Sequence, residues 1–411
     1  MRNHLTPSTL LFASLLFVPG AALAHDDKMP MKMQHHAPSV ACQTTALACA
    51  SVATGAFDPD GKLWLTWLAG GRISVASSDD LGKTFGDPVT MPATTLPLDE
   101  GPDARPKVAV GPDHRVVLTY TSRDEKYNGH AFIARSADGG KTFETPQPIT
   151  SNSPSQRFET AEFDQDGRVF AAWIDKRNGA KARAEGKPYA GAALAFAWDD
   201  KPGGTLEAAA IARDNSCECC RIGLAFAGPG RPVILFRNIF DGGVRDHAII
   251  TFADPKTPGP LYRVSDDDAK IDACPHHGPS LAIGPDGVYH ATWFALGRKL
   301  KGLYYAHSDD GGKTFSTPMR LGSSNAQTSR PYVLALGDVV YLVYKSFDGT
   351  MTTVDLMTSR DSGKTWTAPH PIAMTHDASD HPLLIANRST AYLSWLTLKE
   401  GYRLIPLEPQ S

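Results

Sequence analysis

Ser78-Asp-Asp-Leu-Gly-Lys-Thr-Phe85, Ser136-Ala-Asp-Gly-Gly-Lys-Thr-Phe143, Ser308-Asp-Asp-Gly-Gly-Lys-Thr-Phe315 and Ser359-Arg-Asp-Ser-Gly-Lys-Thr-Trp366 are four copies of one pattern, S-x-D-x-G-x-T-F/W. Their starts lie 58, 172 and 51 residues apart, and the long gap is close to three short ones. Two degenerate copies therefore belong inside it, and one decayed copy is visible at Asp199-Asp200-Lys-Pro-Gly-Gly-Thr205. The residue types suit the tip of a hairpin. The Asp carboxylate can accept bonds from turn N–H groups, the glycine tolerates positive φ, and the aromatic can fold back onto the sheet. A calcium loop fits less well, because each copy carries too few acidic ligands in EF-hand spacing.

A second register gives the count. Alternating apolar strands end in an aromatic at Trp67, Tyr120, Trp173, Phe236, Trp293, Tyr344 and Trp395, at intervals of 53, 53, 63, 57, 51 and 51 residues. Turn signals precede them, among them Asp58-Pro-Asp-Gly61, Gly111-Pro-Asp113, Asp164-Gln-Asp-Gly167 and Gly284-Pro-Asp-Gly287. Short strands with period-two alternation, repeated every 50–60 residues, predict an all-β fold, a β-propeller, and exclude a helical solenoid. Seven blades are expected, with six blades and an accessory hairpin as the alternative. The seventh unit has room for three strands, so its fourth is expected from residues near Ala37–Ala46, which would close the ring and remove exposed edges.

Composition agrees. The 411 residues include 36 glycines and 31 prolines, more turn formers than a helical bundle would carry, and 42% are hydrophobic, which excludes a disordered chain. A net charge of −3 supplies no basic footprint for nucleic acid. Residues 1–24 have the form of a signal peptide: Arg2, an apolar run Leu10–Val18, and Ala22-Leu23-Ala24 as a small-x-small cleavage site. The run is half a membrane span, and no later stretch is long and apolar enough to cross one. The expected organisation is a signal peptide at 1–24, a Met/His-rich tail with a possible closing strand at 25–48, and a propeller at 49–407. The protein is expected to be periplasmic or secreted, and a monomer.

The four Asp boxes and fifty-odd-residue repeats resemble the sialidase superfamily, also called BNR-repeat proteins, over nearly the whole chain after residue 24. That resemblance implies a propeller and, where activity follows fold, an exo-α-sialidase or related glycoside hydrolase acting on an anionic sugar. Sialidases are typically six-bladed and carry an early Phe/Tyr-Arg-Ile-Pro motif, which supplies one of three arginines that clamp the substrate carboxylate. The nearest fragments here are Arg72-Ile73-Ser74 and Arg105-Pro106-Lys107.

Aligning the repeats puts Arg105, Arg157, Arg221, His277, Arg330 and His381 at nearly equivalent positions, at the start of the inner strands. Guanidinium groups bind carboxylate or phosphate bidentately, so a ring of them points to a small anionic ligand or glycan. Arg237 and Arg245 add charge on the fourth repeat. Each arginine could instead cap carbonyls or pair with a neighbouring Asp. Asp103, Glu159, Glu162 and Asp246 are the candidate carboxyls for glycoside cleavage.

The cysteines suggest a different chemistry. Cys217-Glu-Cys219-Cys220 precedes the inner strand of the fourth repeat, and Cys274-Pro-His276-His277 holds the matching place before the fifth. They read either as disulfides stapling two blades or as a soft-metal site for copper or zinc. Cys42 and Cys49 are expected to form a local disulfide. The segment His25-Asp-Asp-Lys-Met29-Pro-Met31-Lys-Met33-Gln-His35-His36 adds thioethers suited to Cu(I) and imidazoles that serve Cu(I) or Cu(II). Tail and cysteines together favour a copper-handling binding protein, with the hydrolase as the alternative.

Overall fold

The computed structural model describes residues 42, 44–101, 103–271, 277–323 and 326–408. The signal-peptide segment and the Met/His tail lie outside them. Strands dominate, and Arg177–Ala184 is the one α-helix among the described residues. No helix among these residues is long and apolar enough to cross a membrane.

The strands run as consecutive antiparallel meanders over 52–90, 107–148, 156–216, 223–263, 280–321, 327–375 and 383–407. The third and fourth share one sheet, joined by the pairing of Ser216 with Asn238. The first strands of the meanders are Val52–Phe57, Lys107–Val110, Gln156–Phe163, Gly223–Phe226, Ser280–Ile283, Gln327–Leu336 and Leu383–Asn387. Successive first strands touch around a centre, except the third and fourth, whose meanders are joined by the shared sheet, and the last touches the first, so the ring closes as a β-propeller.

Each second strand carries one of the seven register aromatics. Trp67, Tyr120, Trp173, Phe236, Trp293, Tyr344 and Trp395 are all 0–3% exposed. Burying one such side chain contributes about 2–3 kcal/mol. Three indole N–H groups also tie the strands to the loops leading inward, Trp293 to Asp267, Trp395 to the Asp380 carbonyl and Trp67 to the Thr45 carbonyl, while that of Trp173 donates to Asp175 at the end of its own strand. Buried Trp needs such a partner, and the loops beside the centre gain a fixed anchor from it.

The four boxes join third to fourth strands. In every copy the Ser hydroxyl donates to the Asp carboxylate at 2.8 Å, and the box glycine N–H donates to that hydroxyl at 2.8–2.9 Å. The Thr hydroxyl donates to the second carboxylate oxygen at 2.6–2.7 Å. These bonds, the threonine's foremost among those that lower it, hold Asp80, Asp138, Asp310 and Asp361 down at about 2. Gly140 has φ +75°, and a Cβ there would stand 2.2 Å from Trp64, so the box needs glycine twice over. The decayed copy keeps a weak turn, with the Thr205 N–H 3.3 Å from Asp200, while Asp199 has become the buried partner of Arg135. In the fourth meander the equivalent connection, between Val244–Asp254 and Thr257–Arg263, has shrunk to two residues.

One expectation is corrected. The last meander has three strands among the described residues, and residues 44–46 do not form its fourth. The Cys42–Cys49 disulfide curls this segment, and Leu47–Cys49 makes a 3-10 turn packed against Gly401–Leu407. The remainder of the expected closing strand lies outside the described residues.

Candidate functional site

The inner strands converge on a cavity of about 330 Å³ that draws lining residues from every one of them. Its polar wall includes Asp103, Arg105, Lys107, Glu162, Arg221, Tyr332 and His381. Arg105 is buried and grips Asp380 through both guanidinium nitrogens, Nη1 at 2.9 Å from Oδ2 and Nη2 on Oδ1. Asp380 also accepts the Ala53 and His381 backbone N–H groups. Arg221 donates to Asp103 at 3.1 Å and meets His381 Nδ1 at 2.9 Å, while Arg330 donates to the other Asp103 oxygen at 2.9 Å.

Two guanidiniums thus meet on one carboxylate. Burial opposes ionisation of Asp103, but Arg330 and Arg221 outweigh it and hold the carboxyl below its usual range. Burial, reinforced by Arg330, Arg105 and Arg221, keeps His381 neutral. His277 is likewise pushed down to about 3 by burial and then by Arg330, and its ring packs 4.4 Å from that of Phe294.

The carboxyls differ in role. Burial pushes Glu159 up, against the opposing pull of Lys107 3.7 Å away and a hydrogen bond from Thr121. Glu162 is enclosed by the surrounding strands yet its side chain stands exposed in the cavity. The enclosure raises its carboxyl to about 7 against the pull of Lys107, and access to water tempers that rise. Tyr332 shares the wall: burial raises its phenol, Arg221 lowers it and Glu162 raises it further. Asp246 does not line the cavity. It binds Arg263 and the N–H groups of residues 267–269, which fixes a loop.

Of the aligned cations, the structure brings Arg105, Arg221 and His381 to the cavity wall, with Arg330 and His277 beside them. Arg157 is turned away by a bulge: Phe158 has φ +57°, the register slips there, and Arg157 joins Arg123 on Asp99. Arg330 sits at a second bulge with φ +57°. Neither Arg237 nor Arg245 lines the cavity, because both lie in the sheet beyond the inner strand; Arg245 pairs with Ile239. Lys107, Tyr332 and Asp380 were not singled out from sequence. Each has a signal in hindsight, since Lys107 and Tyr332 follow Arg105 and Arg330 by two residues, and Asp380 precedes His381.

A second cluster lies at the turn between the third and fourth meanders. Cys217, Cys219 and Cys220 are 2–3% exposed, and their Sγ atoms all lie within 4.8 Å of one another. Cys217 and Cys219 are 3.4 Å apart, in contact and not bonded. Hydrogen bonds from its two neighbours, with Arg237 nearby, draw the Cys217 thiol down, and the hydrogen bond with Cys217, helped by burial, pushes Cys220 up. Cys274, His276 and the tail ligands His25, Met29, Met31, Met33, His35 and His36 lie outside the described residues.

No protein-family model matches the chain, and no curated relative matches it significantly. Solved structures do resemble it. An ulvan lyase of polysaccharide-lyase family PL25, bound to -[GlcA(1-4)Rha3S]-, superposes with a TM-score of 0.57 at 9% identity, over 86% of this chain and 90% of that one. A protein of unknown function from Dyadobacter fermentans gives 0.51 at 15% identity, over 73% and 91%. A Trypanosoma rangeli sialidase in complex with the inhibitor DANA gives 0.45 at 12% identity, over 72% and 52%. The chain folds as a β-propeller. At these identities the likeness concerns the fold alone.

Proposed function

We propose that the protein binds an acidic carbohydrate in the central cavity and hydrolyses its glycosidic bond. The observation that carries this reading is the meeting, on one wall, of Arg221, Tyr332 and the solvent-facing Glu162. The cavity is at the small end of ligand sites and suits about one sugar ring. Arg221 and Arg330, which meet on Asp103, place two guanidiniums where a sugar carboxylate can be bound. Glycosidases with a Tyr nucleophile need a base that takes the phenol proton. Glu162, raised to about 7, is poised for that exchange near neutral pH, and Tyr332 supplies the attacking oxygen. The superposed ulvan lyase is described as bound to -[GlcA(1-4)Rha3S]-, an acidic saccharide, which supports the same ligand class. The Cys42–Cys49 disulfide and the leader-like residues 1–24 support export to an oxidising compartment.

The test is a panel of fluorogenic sialosides and uronides, with uronate polysaccharides alongside. Hydrolysis is expected for at least one acidic glycoside, and Tyr332→Phe and Glu162→Gln should each lower kcat by at least about 100-fold. Failure of every acidic substrate, or turnover indifferent to both substitutions, would overturn the reading. An unsaturated uronate product would replace hydrolysis by elimination. Copper handling, if present, rests on the sulfur cluster and not on this cavity.

A further inference from the structure

The turn Cys217–Cys220 turns three of its four side chains inward. Glu218 alone leaves, to pair with Lys176 at the surface. Two charged or polar side chains, Arg237 and His247, lie close enough to the sulfurs to interact with them. Arg237, 3% exposed, spends one N–H on the Phe294 carbonyl at 2.8 Å, while its Nε and Nη1 have no hydrogen-bond partner. His247, 1% exposed, has neither ring nitrogen satisfied and neighbours both Arg237 and Cys217. Asn238 Oδ1 and Ser216 Oγ, on the residues that join the two meanders, are unmatched as well.

Buried cysteines that merely pack need apolar neighbours. A guanidinium with idle donors beside three sulfurs is arranged for negative charge, and the charge that three sulfurs supply is thiolate. Three thiolates crowded together repel, so a cation among them is the natural complement.

We propose that Cys217, Cys219 and Cys220 form a buried three-sulfur site for a soft monovalent metal, Cu(I), with Arg237 balancing the excess negative charge. Thiolates select Cu(I) and zinc over harder ions. Zinc in a closed site takes four ligands, and the described residues bring three sulfurs within 4.8 Å of one another, a set that a soft Cu(I) thiolate site can use. Each ligating thiol gives its proton to solvent, so loading releases protons and weakens as pH falls. The copper arrives and remains as Cu(I), so no electron is exchanged.

The experiment uses the full chain, reduced and anaerobic, titrated with Cu(I) against a chromogenic Cu(I) chelator. One ion should stay per chain. X-ray absorption should report a shell dominated by sulfur. Cys217→Ser and Cys220→Ser should each weaken retention by more than about 100-fold, and Arg237→Met by about 10-fold, as loss of an outer-shell partner does. Circular dichroism of each variant separates lost ligation from lost fold, and Arg237→Met provides a readout that leaves every sulfur in place. Complete stripping by the chelator, retention unchanged in folded cysteine variants, or preference for Zn(II) over Cu(I) would each overturn the proposal. So would mass spectrometry showing these sulfurs locked in disulfides that persist in the folded, copper-treated protein.

Discussion

The central cavity and the sulfur pocket are both buried, both contain arginine, and handle its charge in opposite ways. In the cavity every arginine already has a carboxylate: Arg105 has Asp380, and Arg221 and Arg330 share Asp103. In the sulfur pocket Arg237 has a single carbonyl and two idle donors. A satisfied network is a rigid scaffold, which can hold a ligand's orientation but loses much when one member goes. An unsatisfied one is a standing demand for a partner.

The largest effect should come from breaking the satisfied side. Asp103→Ala removes a carboxylate held by two guanidiniums at a site 3% exposed, and is expected to cost about 3–5 kcal/mol in denaturant unfolding. Arg237→Met, by contrast, removes a guanidinium that makes one hydrogen bond and leaves two donors idle, and should cost under about 1 kcal/mol in metal-free protein, or stabilise it. Equal losses in the two variants would end the comparison.

A pH experiment sharpens it from the functional side. Glu162 has its folded carboxyl raised to about 7, so the folded state holds a proton that the unfolded chain has already released. Its contribution to stability is therefore present below the ordinary carboxyl value, 4.5, and is lost as pH rises towards about 7. Glu162→Gln should flatten that fall in the unfolding midpoint. Catalysis should run the other way, rising with pH over the same window, because the base works only when ionised. A rate profile flat between pH 5 and about 8 would remove Glu162 from the mechanism.

How much of this was legible in the chain follows from what a repeat pattern encodes. The boxes and the aromatic register report local hydrogen bonds and strand faces, so the propeller and the seven buried aromatics came out directly. The same register brought Arg105, Arg221 and His381 to one wall. It could not report who neutralises them, because Asp103 and Asp380 reach Arg330 and Arg105 across 227 and 275 residues. Nor could it foresee the bulge at Phe158, where one extra residue turns Arg157 off the wall. The three clustered cysteines were visible as a motif. Their polar surroundings were not, since Arg237 and His247 come from the second and third strands of the next meander.

The smallest effect tests whether redundancy, and not mere pairing, protects the charged network. Asp99 is held twice: Arg123 donates two bonds of 2.7 Å, and Arg157 adds two of 3.2 and 2.9 Å. Removing Arg157 leaves the buried carboxylate with its better partner, so no unpaired charge is stranded. What disappears is a longer, shared contact and the guanidinium stacked 4.5 Å from the Phe158 ring. Arg157→Ala should therefore cost about 1 kcal/mol or less in chemical denaturation. Arg123→Ala should cost more, since it leaves Asp99 with the longer contact alone. Because Arg157 does not line the cavity, its removal should leave KM for any acidic glycoside unchanged. A large rise in KM with little change in stability would mean that Arg157 swings from Asp99 to the ligand on binding, and that the cavity's network is less settled than its pairing indicates.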